Sequence, residues 1–347
     1  MLLLKKLATV LLCLCTHQVF SQIGGKSVFE FLNLSPNTLQ SALGGLNISA
    51  DPQNAAIFMA NPALMDKNSG RLQMDFMPFY ADITYLMATY RHDLDFAKMG
   101  VGVQYVSYGN FDRFDATGQK NGSFSANDYA LNFAISHQIA PFSMGINLKW
   151  VGSTLDNYSA MGFLADLGGS FVHPKKDLKI GLVIKNLGFA VSNYTAAAFQ
   201  MPFDVQAGIS FKPEKMPFRI SLTAHHLHRF DLAYLSPNRK NSLDANGNPI
   251  EEKIGFADEF FRHIVIGTEL LFHKNFNLRF GYNFMQRAEL ALPDAPALVG
   301  FSFGGLIRIK DFEICISRSL RHIAGGTTSF SVSMDTQKFF RKKRIIE

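Results

Sequence analysis

Large apolar residues alternate with small or polar residues along most of this chain, in runs of roughly ten residues that end in a turn. In the clearest run, Phe276, Leu278 and Phe280 fall on one face of an extended strand, and Asn277 and Arg279 fall on the other. Successive side chains of a strand point to opposite faces of the sheet, so each run has one apolar face and one polar face. The alternation predicts β-strands over most of the sequence.

About fourteen such segments follow one another after residue 70. They begin near Gly70, Asp82, Met99, Asn127, Phe142, Ala160, Asp177, Phe203, Met216, Phe260, Asn275, Ala297, Lys310 and Thr327. An even number of alternating strands is typical of outer-membrane barrels, whose apolar side chains face lipid. We therefore predict an all-β fold, a transmembrane antiparallel β-barrel of about fourteen strands over residues 70–340. A periplasmic β-sandwich is the soluble alternative.

The connections between the segments alternate in length. They are short after the fourth, sixth, eighth, tenth and twelfth segments, as at Ala140-Pro141. They are longer after the third, fifth, seventh, ninth, eleventh and thirteenth segments, notably from Gly109 to Ala126, from Gly188 to Pro202 and from Asp231 to Glu259. Outer-membrane barrels have short periplasmic turns and longer outward loops. We therefore expect the longer connections to face outward and both chain termini to be periplasmic.

The N-terminal part of the chain does not alternate. Residues 1–21 have the pattern of a signal peptide, because Lys5 and Lys6 precede a short apolar run and a small residue, Ser21, precedes a plausible cleavage point. Residues 22–69 are rich in small side chains that suit close packing inside a lumen. We predict that they form a plug, with a short helical piece before Asn61. A flexible periplasmic arm is the alternative.

Composition and charge narrow the function classes. The chain of 347 residues is 47% hydrophobic and 18% charged, which is too apolar and too weakly charged for intrinsic disorder. Its net charge of +6 is concentrated at Lys5-Lys6 and at the basic tail, residues 341–347, so nucleic-acid binding has little electrostatic support. The tail could bind acidic lipid or a periplasmic partner, or be solvated.

Few residues suggest catalytic or metal chemistry. Imidazole is a common metal ligand, and His226 and His228 would share a strand face beside His225. We expect this strand to end at Arg229-Phe230-Asp231 and therefore favour amphipathic rings at the membrane interface. The segment from Asp244 to Pro249 lacks the terminal glutamate of a calcium loop, and no G-x-S-x-G nucleophile elbow is present. We expect no catalytic residue, no metal site and no cofactor.

Polar residues on the presumed lumen face are a further candidate site. They could line a conduit, or they could form ion pairs and hydrogen bonds that fill a plugged barrel. Because unpaired charges in an interior are costly, the second interpretation is favoured. These residues are Asn147, Lys149, Asp166, Glu269 and Arg279.

Several stretches resemble known outer-membrane proteins. Ala42-Leu43-Gly44-Gly45, a turn with Asp51-Pro52, and Asn61-Pro62-Ala63 resemble the N-terminal hatch of the FadL-type proteins, whose barrels have fourteen strands. The candidate hatch residues are Gly44, Gly45, Asn61, Pro62 and Ala63. A narrower resemblance, to the PorQ-like proteins of the type IX secretion system, spans nearly the whole mature chain. It is carried by Ser27 to Leu34, Tyr80 to Ile83, Phe124 to Leu131 and Leu222 to Leu227.

The narrower resemblance implies a non-enzymatic role in attaching secreted cargo to the cell surface. A PorQ-like barrel would anchor a PorZ-like surface protein beside a PorU-like sortase and a PorV-like barrel, while cargo is joined to lipopolysaccharide. The partner-binding residues would lie in the outward loops, at Asp112, Phe124, Leu235, Asn238, Arg239 and Asp258.

The broader resemblance implies an alternative function. FadL-type barrels move small hydrophobic molecules through a kinked hatch and a lateral opening in the wall. A glycine interruption in a strand would favour this function, and Gly168-Gly169 or Gly304-Gly305 could provide one.

Overall fold

The computed structural model describes residues 27–50, 54–65, 70–195, 199–233, 254–291, 298–322 and 325–336. Within them the chain forms a closed antiparallel barrel in which consecutive strands pair and the last strand pairs with the first. The strands are β1 (Arg71–Pro78), β2 (Thr84–Asp93), β3 (Lys98–Phe114), β4 (Lys120–Ile139), β5 (Phe142–Leu155), β6 (Tyr158–Val172), β7 (Asp177–Ser192), β8 (Asp204–Lys212), β9 (Phe218–Ala224), β10 (Ile264–His273), β11 (Phe276–Asn283), β12 (Phe301–Ile309), β13 (Phe312–His322) and β14 (Gly325–Asp335). The prediction of a fourteen-stranded all-β barrel is confirmed.

Alternation along each strand separates an apolar outer face from an inner face. On β4, Leu131 and Phe133 are exposed, whereas Ala130, Asn132 and Ala134 are buried. Other exposed outer side chains include Phe163, Leu182, Phe211, Phe280, Phe303, Ile316 and Phe330. An outer surface covered by such side chains is that of a membrane-spanning barrel.

The barrel has two different ends. Odd-numbered strands finish at one end, which we call the long-loop end, and even-numbered strands finish at the short-turn end. The connections after β7, β9 and β11 are long, as predicted, although the first of these begins at residue 193 rather than at Gly188. The prediction of longer loops after β5 and β13 is wrong, because residues 156–157 and 323–324 alone separate the strands there.

The predicted loop from Gly109 to Ala126 is also wrong. β3 and β4 stay paired through most of it, with Asn110 opposite Ser125 and Phe111 opposite Phe124. Backbone hydrogen bonds continue the ladder beyond the outer apolar alternation, because they do not depend on apolar side chains. We call residues 110–125 the projecting hairpin.

Short helical turns build the plug inside the barrel. They are the 3-10 turns Glu30–Asn33, Ala55–Met59 and Pro62–Leu64 and the α-helical turn Thr38–Ala42. Asparagine starts three of them: the side-chain oxygens of Asn37, Asn54 and Asn61 accept hydrogen bonds from the backbone N–H groups of Gln40, Ala56 and Ala63. Asparagine is favoured at this position because its side chain satisfies an otherwise unpaired N–H. The helical piece expected before Asn61 is the turn Ala55–Met59.

The main apolar core lies between the plug and the inner face of the wall. Phe58 of the plug is fully buried, and Tyr85 and Val106 of the wall are buried in the same cluster. Plug residues in this cluster include Val28, Phe29, Phe31, Leu32, Ile57, Met59, Leu64 and Met65. The N-terminal segment is therefore a packed plug. No helix in the described parts of the chain is both long and apolar enough to cross a membrane.

Candidate functional site

Glycines on the inner face of the wall let plug atoms, from both backbone and side chains, approach closely. A Cβ atom placed on any of eight of them would lie 2.1 to 2.8 Å from a plug atom, which is too close for a real contact. These positions are Gly100, Gly102, Gly145, Gly168, Gly181, Gly208, Gly281 and Gly304. We call this set the glycine seat. A larger side chain at Gly145, Gly181 or Gly281 would collide with the plug backbone, so these positions require glycine where the plug packs on the wall.

The predicted hatch residues lie at two contacts with this seat. Gly44 and Gly45 follow the turn Thr38–Ala42 with φ of +90° and +93°, a conformation that glycine adopts without strain. The Gly44 N–H donates to Ser302 Oγ at 2.8 Å, and the Gly44 carbonyl accepts from Asn283 Nδ2 at 3.0 Å. These hydrogen bonds tie the first hatch motif to β11 and β12.

The second hatch motif packs against β5 and β6. Asn61 Nδ2 donates to the carbonyl of Gly169 at 3.2 Å and to that of Ile48 at the same distance. A Cβ placed on Gly145 would lie 2.5 Å from the Pro62 carbonyl carbon. Ala63 is buried, and its carbonyl accepts a 3.5 Å hydrogen bond from Ser170 Oγ.

The glycine pairs expected to open the wall do not interrupt it. β6 continues through Gly168-Gly169, and β12 continues through Gly304-Gly305. Gly168 and Gly304 face inward against the plug, whereas a Cβ placed on Gly169 would meet no atom within 4 Å. These glycines accommodate the plug and do not form an opening.

Three of the predicted lumen residues form one buried network. Lys149 Nζ lies 2.7 Å from Asp166 Oδ2, and both side chains are almost fully buried. Asn147 Nδ2 donates to the same carboxylate oxygen at 3.3 Å. Lys149 also donates to Asn186 Oδ1 at 2.7 Å, and the Asn186 backbone N–H donates to Asp166 Oδ1 at 2.8 Å. The network holds a bulge in β7, where Asn186 has φ of +57°.

The other two lumen residues form a separate ion pair. Glu269 Oε1 accepts from Arg279 Nε at 2.9 Å, and Glu269 Oε2 accepts from Arg219 at 3.0 Å. Arg219 also contacts Asp177 at 3.3 Å. The five predicted lumen residues therefore belong to two separate clusters, and within each cluster the charged side chains form ion pairs. The two clusters do not join into one charged path along the lumen.

A cavity of about 1290 Å³ lies above the plug, toward the long-loop end. Plug residues form one side of it, and the ends of β7, β8 and β9 with the helix Phe284–Leu290 form the rest. Its apolar lining includes Leu32, Leu34, Ile48, Phe199, Met201, Phe203 and Leu290. Its polar lining includes Gln40, Lys185, Asn186, Asp204, Gln206 and Arg229. The mixed lining suits a largely apolar molecule that carries a polar group.

Strand pairing stops beside this cavity. β8 pairs with β7 only as far as Lys185 and Asp204, while β7 continues to Ser192 with β6 on its other edge. Among the described residues, no strand pairs with the β8-facing edge of residues 187–192. Leu187 and Phe189 are 51% and 64% exposed on the outer face and also line the cavity. The cavity therefore borders the wall at this seam, where residues of β7 contact the cavity on one side and are exposed on the other.

The histidines after β9 line the same cavity. β9 ends at Ala224, so the expected strand through Arg229 is wrong. His226 has φ of +55°, and its backbone N–H donates to Asp204 Oδ1 at 2.6 Å, which turns the chain into the lumen. His225 is 2% exposed, so the interpretation of interfacial rings is wrong for it. Burial lowers the pKa of His225 to about 3 and also lowers the pKa values of His226 and His228.

The predicted partner-binding residues are scattered. Asp112 and Phe124 lie on the projecting hairpin, as parts of paired strands rather than of a loop. Asp258 lies in the helix Phe256–Arg262, where it pairs with Arg262 at 3.1 Å. Leu235, Asn238 and Arg239 lie outside the described residues, as do the signal peptide, the segment from Asp244 to Pro249 and the basic tail.

Sequence reasoning missed the residues that frame the cavity. Asn186, Asp204 and Gln206 were assigned no role, although the alternation placed Asp204 and Gln206 opposite the apolar residues of β8. A consecutive buried pair, Lys185 and Asn186, marks the bulge in β7. The pair of polar residues between apolar positions was the available signal for it.

The sequence matches no family model and no curated protein. The fold is similar to solved structures. The toluene transporter TodX of Pseudomonas putida has a TM-score of 0.54 and 14% identity over 88% of this chain and 99% of TodX. A FadL homologue of Pseudomonas aeruginosa has a TM-score of 0.50 and 11% identity over 90% of this chain and all of that chain. The chain has the FadL-type fold. Identities this low establish the fold alone.

Proposed function

We propose that this chain resides in an outer membrane and transports small, largely hydrophobic molecules through the cavity and the seam between β7 and β8. The observation that carries the proposal is that Leu187 and Phe189 line the cavity and are exposed on the outer face, at the place where pairing of β7 with β8 has ended. The function requires no catalytic step. Both chain termini would lie on the periplasmic side, with the long-loop end outward.

The plug favours a lateral route over a straight one. It packs against the glycine seat around the barrel, and hydrogen bonds such as that from Lys185 Nζ to the Met59 carbonyl at 3.1 Å hold it in place. A molecule that enters from the long-loop end reaches the cavity before it reaches the plug. The shortest exit from the cavity is then the seam.

The chemistry of the route suits hydrophobic cargo. A molecule that leaves through a transmembrane wall enters the hydrocarbon of the bilayer, so it must be stable there. The outer face beside the seam is apolar at Leu187, Phe189 and Val191. Similarity of fold to a solved toluene transporter supports this substrate class for the present chain.

Blocking the cavity tests the proposal. Ala190 lines the cavity, and its neighbour Val191 faces outward. We expect Ala190→Trp to reduce uptake of a labelled monoaromatic hydrocarbon or fatty acid by cells that express the barrel, and Val191→Trp to leave uptake unchanged. Equal uptake by both variants, at equal amounts of folded barrel, would contradict the route.

A disulfide that fixes the plug to the wall distinguishes the lateral route through the seam from a straight route past the plug. A Cβ placed on Gly267 would lie 3.3 Å from Leu43 Cβ, close to the spacing of about 3.5 to 4.5 Å in disulfides. The double variant Leu43→Cys with Gly267→Cys can therefore lock the plug to β10. We expect uptake to be the same in the oxidised and reduced forms. Loss of uptake on oxidation would show that the plug must move.

We propose as a second function the attachment role implied by the PorQ-like resemblance, in which the long-loop end holds a PorZ-like surface protein. The observation that favours it is the projecting hairpin, where Phe111 and Phe114 are 42% and 60% exposed. Its test is a pull-down from gently solubilised membranes, with the full chain and with residues 112–123 replaced by a short turn. Capture of the surface protein by the full chain alone would support anchoring, and equal capture by both would oppose it.

A further inference from the structure

Three side chains that can bind metal meet beside the cavity. Asp204 begins β8, and His225 and His226 follow β9 directly. One ligand atom of each lies within 4.8 Å of the others. Two donors on one Zn²⁺ ion, each about 2.1 Å from it, can be at most about 4.2 Å apart. Small side-chain rotations are therefore enough to bring all three onto one ion.

The two imidazoles converge on one point. His225 Nδ1 and His226 Nδ1 lie 2.6 Å apart. Two neutral rings in this arrangement hold one N–H proton between the two Nδ1 atoms. If that proton moves to the Nε2 atom of its own ring, both Nδ1 lone pairs are available to one ion. His225 Nε2 is buried and has no hydrogen-bond partner among the described residues. The protein groups described here therefore leave this ring incompletely satisfied.

We propose that Asp204, His225 and His226 bind one divalent transition-metal ion of the Zn²⁺ type at the edge of the cavity. Two nitrogens and one carboxylate oxygen suit such an ion, whereas Ca²⁺ and Mg²⁺ prefer oxygen ligands throughout. His228 Nδ1 lies 3.9 Å from Asp204 Oδ1 and is the candidate for the fourth position.

Neighbouring residues position two of the proposed ligands, His225 and Asp204. His263 Nδ1 lies 2.7 Å from the His225 carbonyl, and His263 Nε2 lies 3.1 Å from the Phe230 carbonyl. These contacts position the His225 backbone and occupy both nitrogens of the His263 ring. Gln206 Nε2 donates to Asp204 Oδ2 at 2.6 Å, which orients the carboxylate. The contact from Gln206 is of the kind that orients a metal-binding carboxylate.

The ion would join two strands where their pairing ends. β8 and β9 pair from Ala207 opposite Ala224 to Phe211 opposite Ile220, so Asp204 lies beyond the last pair. A bound ion would reinforce the link between this end of β8, which pairs with β7, and the turn after β9, where the His226 N–H already donates to Asp204. The ion would thereby fix the wall of the cavity next to the seam. The proposed metal site does not depend on the transport proposal.

The test uses the full barrel, purified with a tag that contains no histidine, stripped with a chelator and titrated with ZnCl₂ by calorimetry. We expect one Zn²⁺ per chain. His226→Gln and Asp204→Asn should each weaken the Kd at least about tenfold, since even outer contacts of a metal site are worth that much. His137→Gln, which removes an exposed histidine of β4, is the matched control and should bind as tightly as the natural chain.

Folding of each variant is checked by the heat-dependent gel mobility of the barrel. X-ray absorption at the zinc edge of the unaltered chain gives a second measurement that needs no variant, and scattering from two imidazoles is expected. No binding by the stripped barrel, equal binding by the cluster variants and the control, or a zinc spectrum without imidazole would each overturn the proposal.

Discussion

The plug meets the barrel wall in two different ways. At mid-barrel, the glycine seat brings the wall into direct contact with plug atoms on seven strands, and on β5, β7 and β11 those atoms belong to the plug backbone. At the long-loop end, the ends of β7, β8 and β9 separate, and a cavity of about 1290 Å³ replaces that contact. We call residues 187–192, 199–206 and 225–229 the open sector.

The difference shows how one barrel can be sealed and still offer a path. The seat uses glycine, which adds no side chain between the two backbones, and so it closes the lumen. In the open sector the backbones of β7 and β8 are no longer paired, and at its border a side chain makes the link instead: Asn186 Nδ2 donates to the Pro202 carbonyl at 2.7 Å. The plug closes the lumen in the middle of the barrel, whereas the cavity is accessible in the open sector at the long-loop end.

The buried ion pair between the two regions should have the largest effect on stability. Lys149→Met leaves Asp166 as an uncompensated buried charge, so we expect a loss of about 3 to 5 kcal/mol in the free energy of unfolding. Urea unfolding in lipid vesicles, followed by the fluorescence of Trp150, the one tryptophan of the chain, measures it. The double variant Lys149→Met with Asp166→Asn should recover part of the loss. Full stability of the single variant would contradict a structural role for the pair.

Adjacent glycines test the seat with a built-in control. Gly168→Val would place a Cβ 2.2 Å from Asn61 Oδ1, so we expect overpacking to cost about 1 to 3 kcal/mol. Gly169→Val adds its side chain where no atom lies within 4 Å, and it should cost much less. The same urea titration compares the two. Equal losses would mean that the strand itself, and not the plug, requires glycine.

The smallest effect is expected at the border of the open sector. Asn186→Gly keeps a residue that accepts a positive φ but removes the side-chain bonds to Pro202 and Lys149. Because Lys149 keeps its ion pair with Asp166, we expect a loss of about 1 to 2 kcal/mol. Hydrogen exchange of residues 199–203 should rise at the same time. Asn157→Gly, in the two-residue turn after β5, is the control, and no change in exchange at 199–203 is expected from it.

Much of the fold follows from the sequence, because alternation is a local signal. Phe276, Leu278 and Phe280 identify β11 without knowledge of its neighbours. The projecting hairpin was missed because Asp112 and Arg113 interrupt the apolar alternation while backbone pairing continues.

The candidate site was harder to predict, because it depends on contacts distant in sequence. Gly168 and Gly169 look alike in the sequence, and only the position of Pro62 distinguishes the inward glycine from the outward one. His225 and His226 leave the strand because Asp204, far away in the chain, accepts the His226 N–H. The sequence predicts the start of β8 to within one residue, at Phe203, but it predicts that β7 ends near Gly188; the seam arises because β7 continues to Ser192 without pairing to β8.

The order of the plug's contacts along the chain has a consequence for biogenesis. The Gly44 N–H bonds Ser302, 258 residues later, and the Ser302 hydroxyl donates to the Ala42 carbonyl. Contacts this distant form late, since a long loop must first be closed. The strands that complete the plug's surroundings, β12 to β14, are the last to be synthesised. We therefore expect plug docking to be completed only with ring closure, and a chain arrested before β12 to present an incompletely docked apolar plug to chaperones and quality-control proteases.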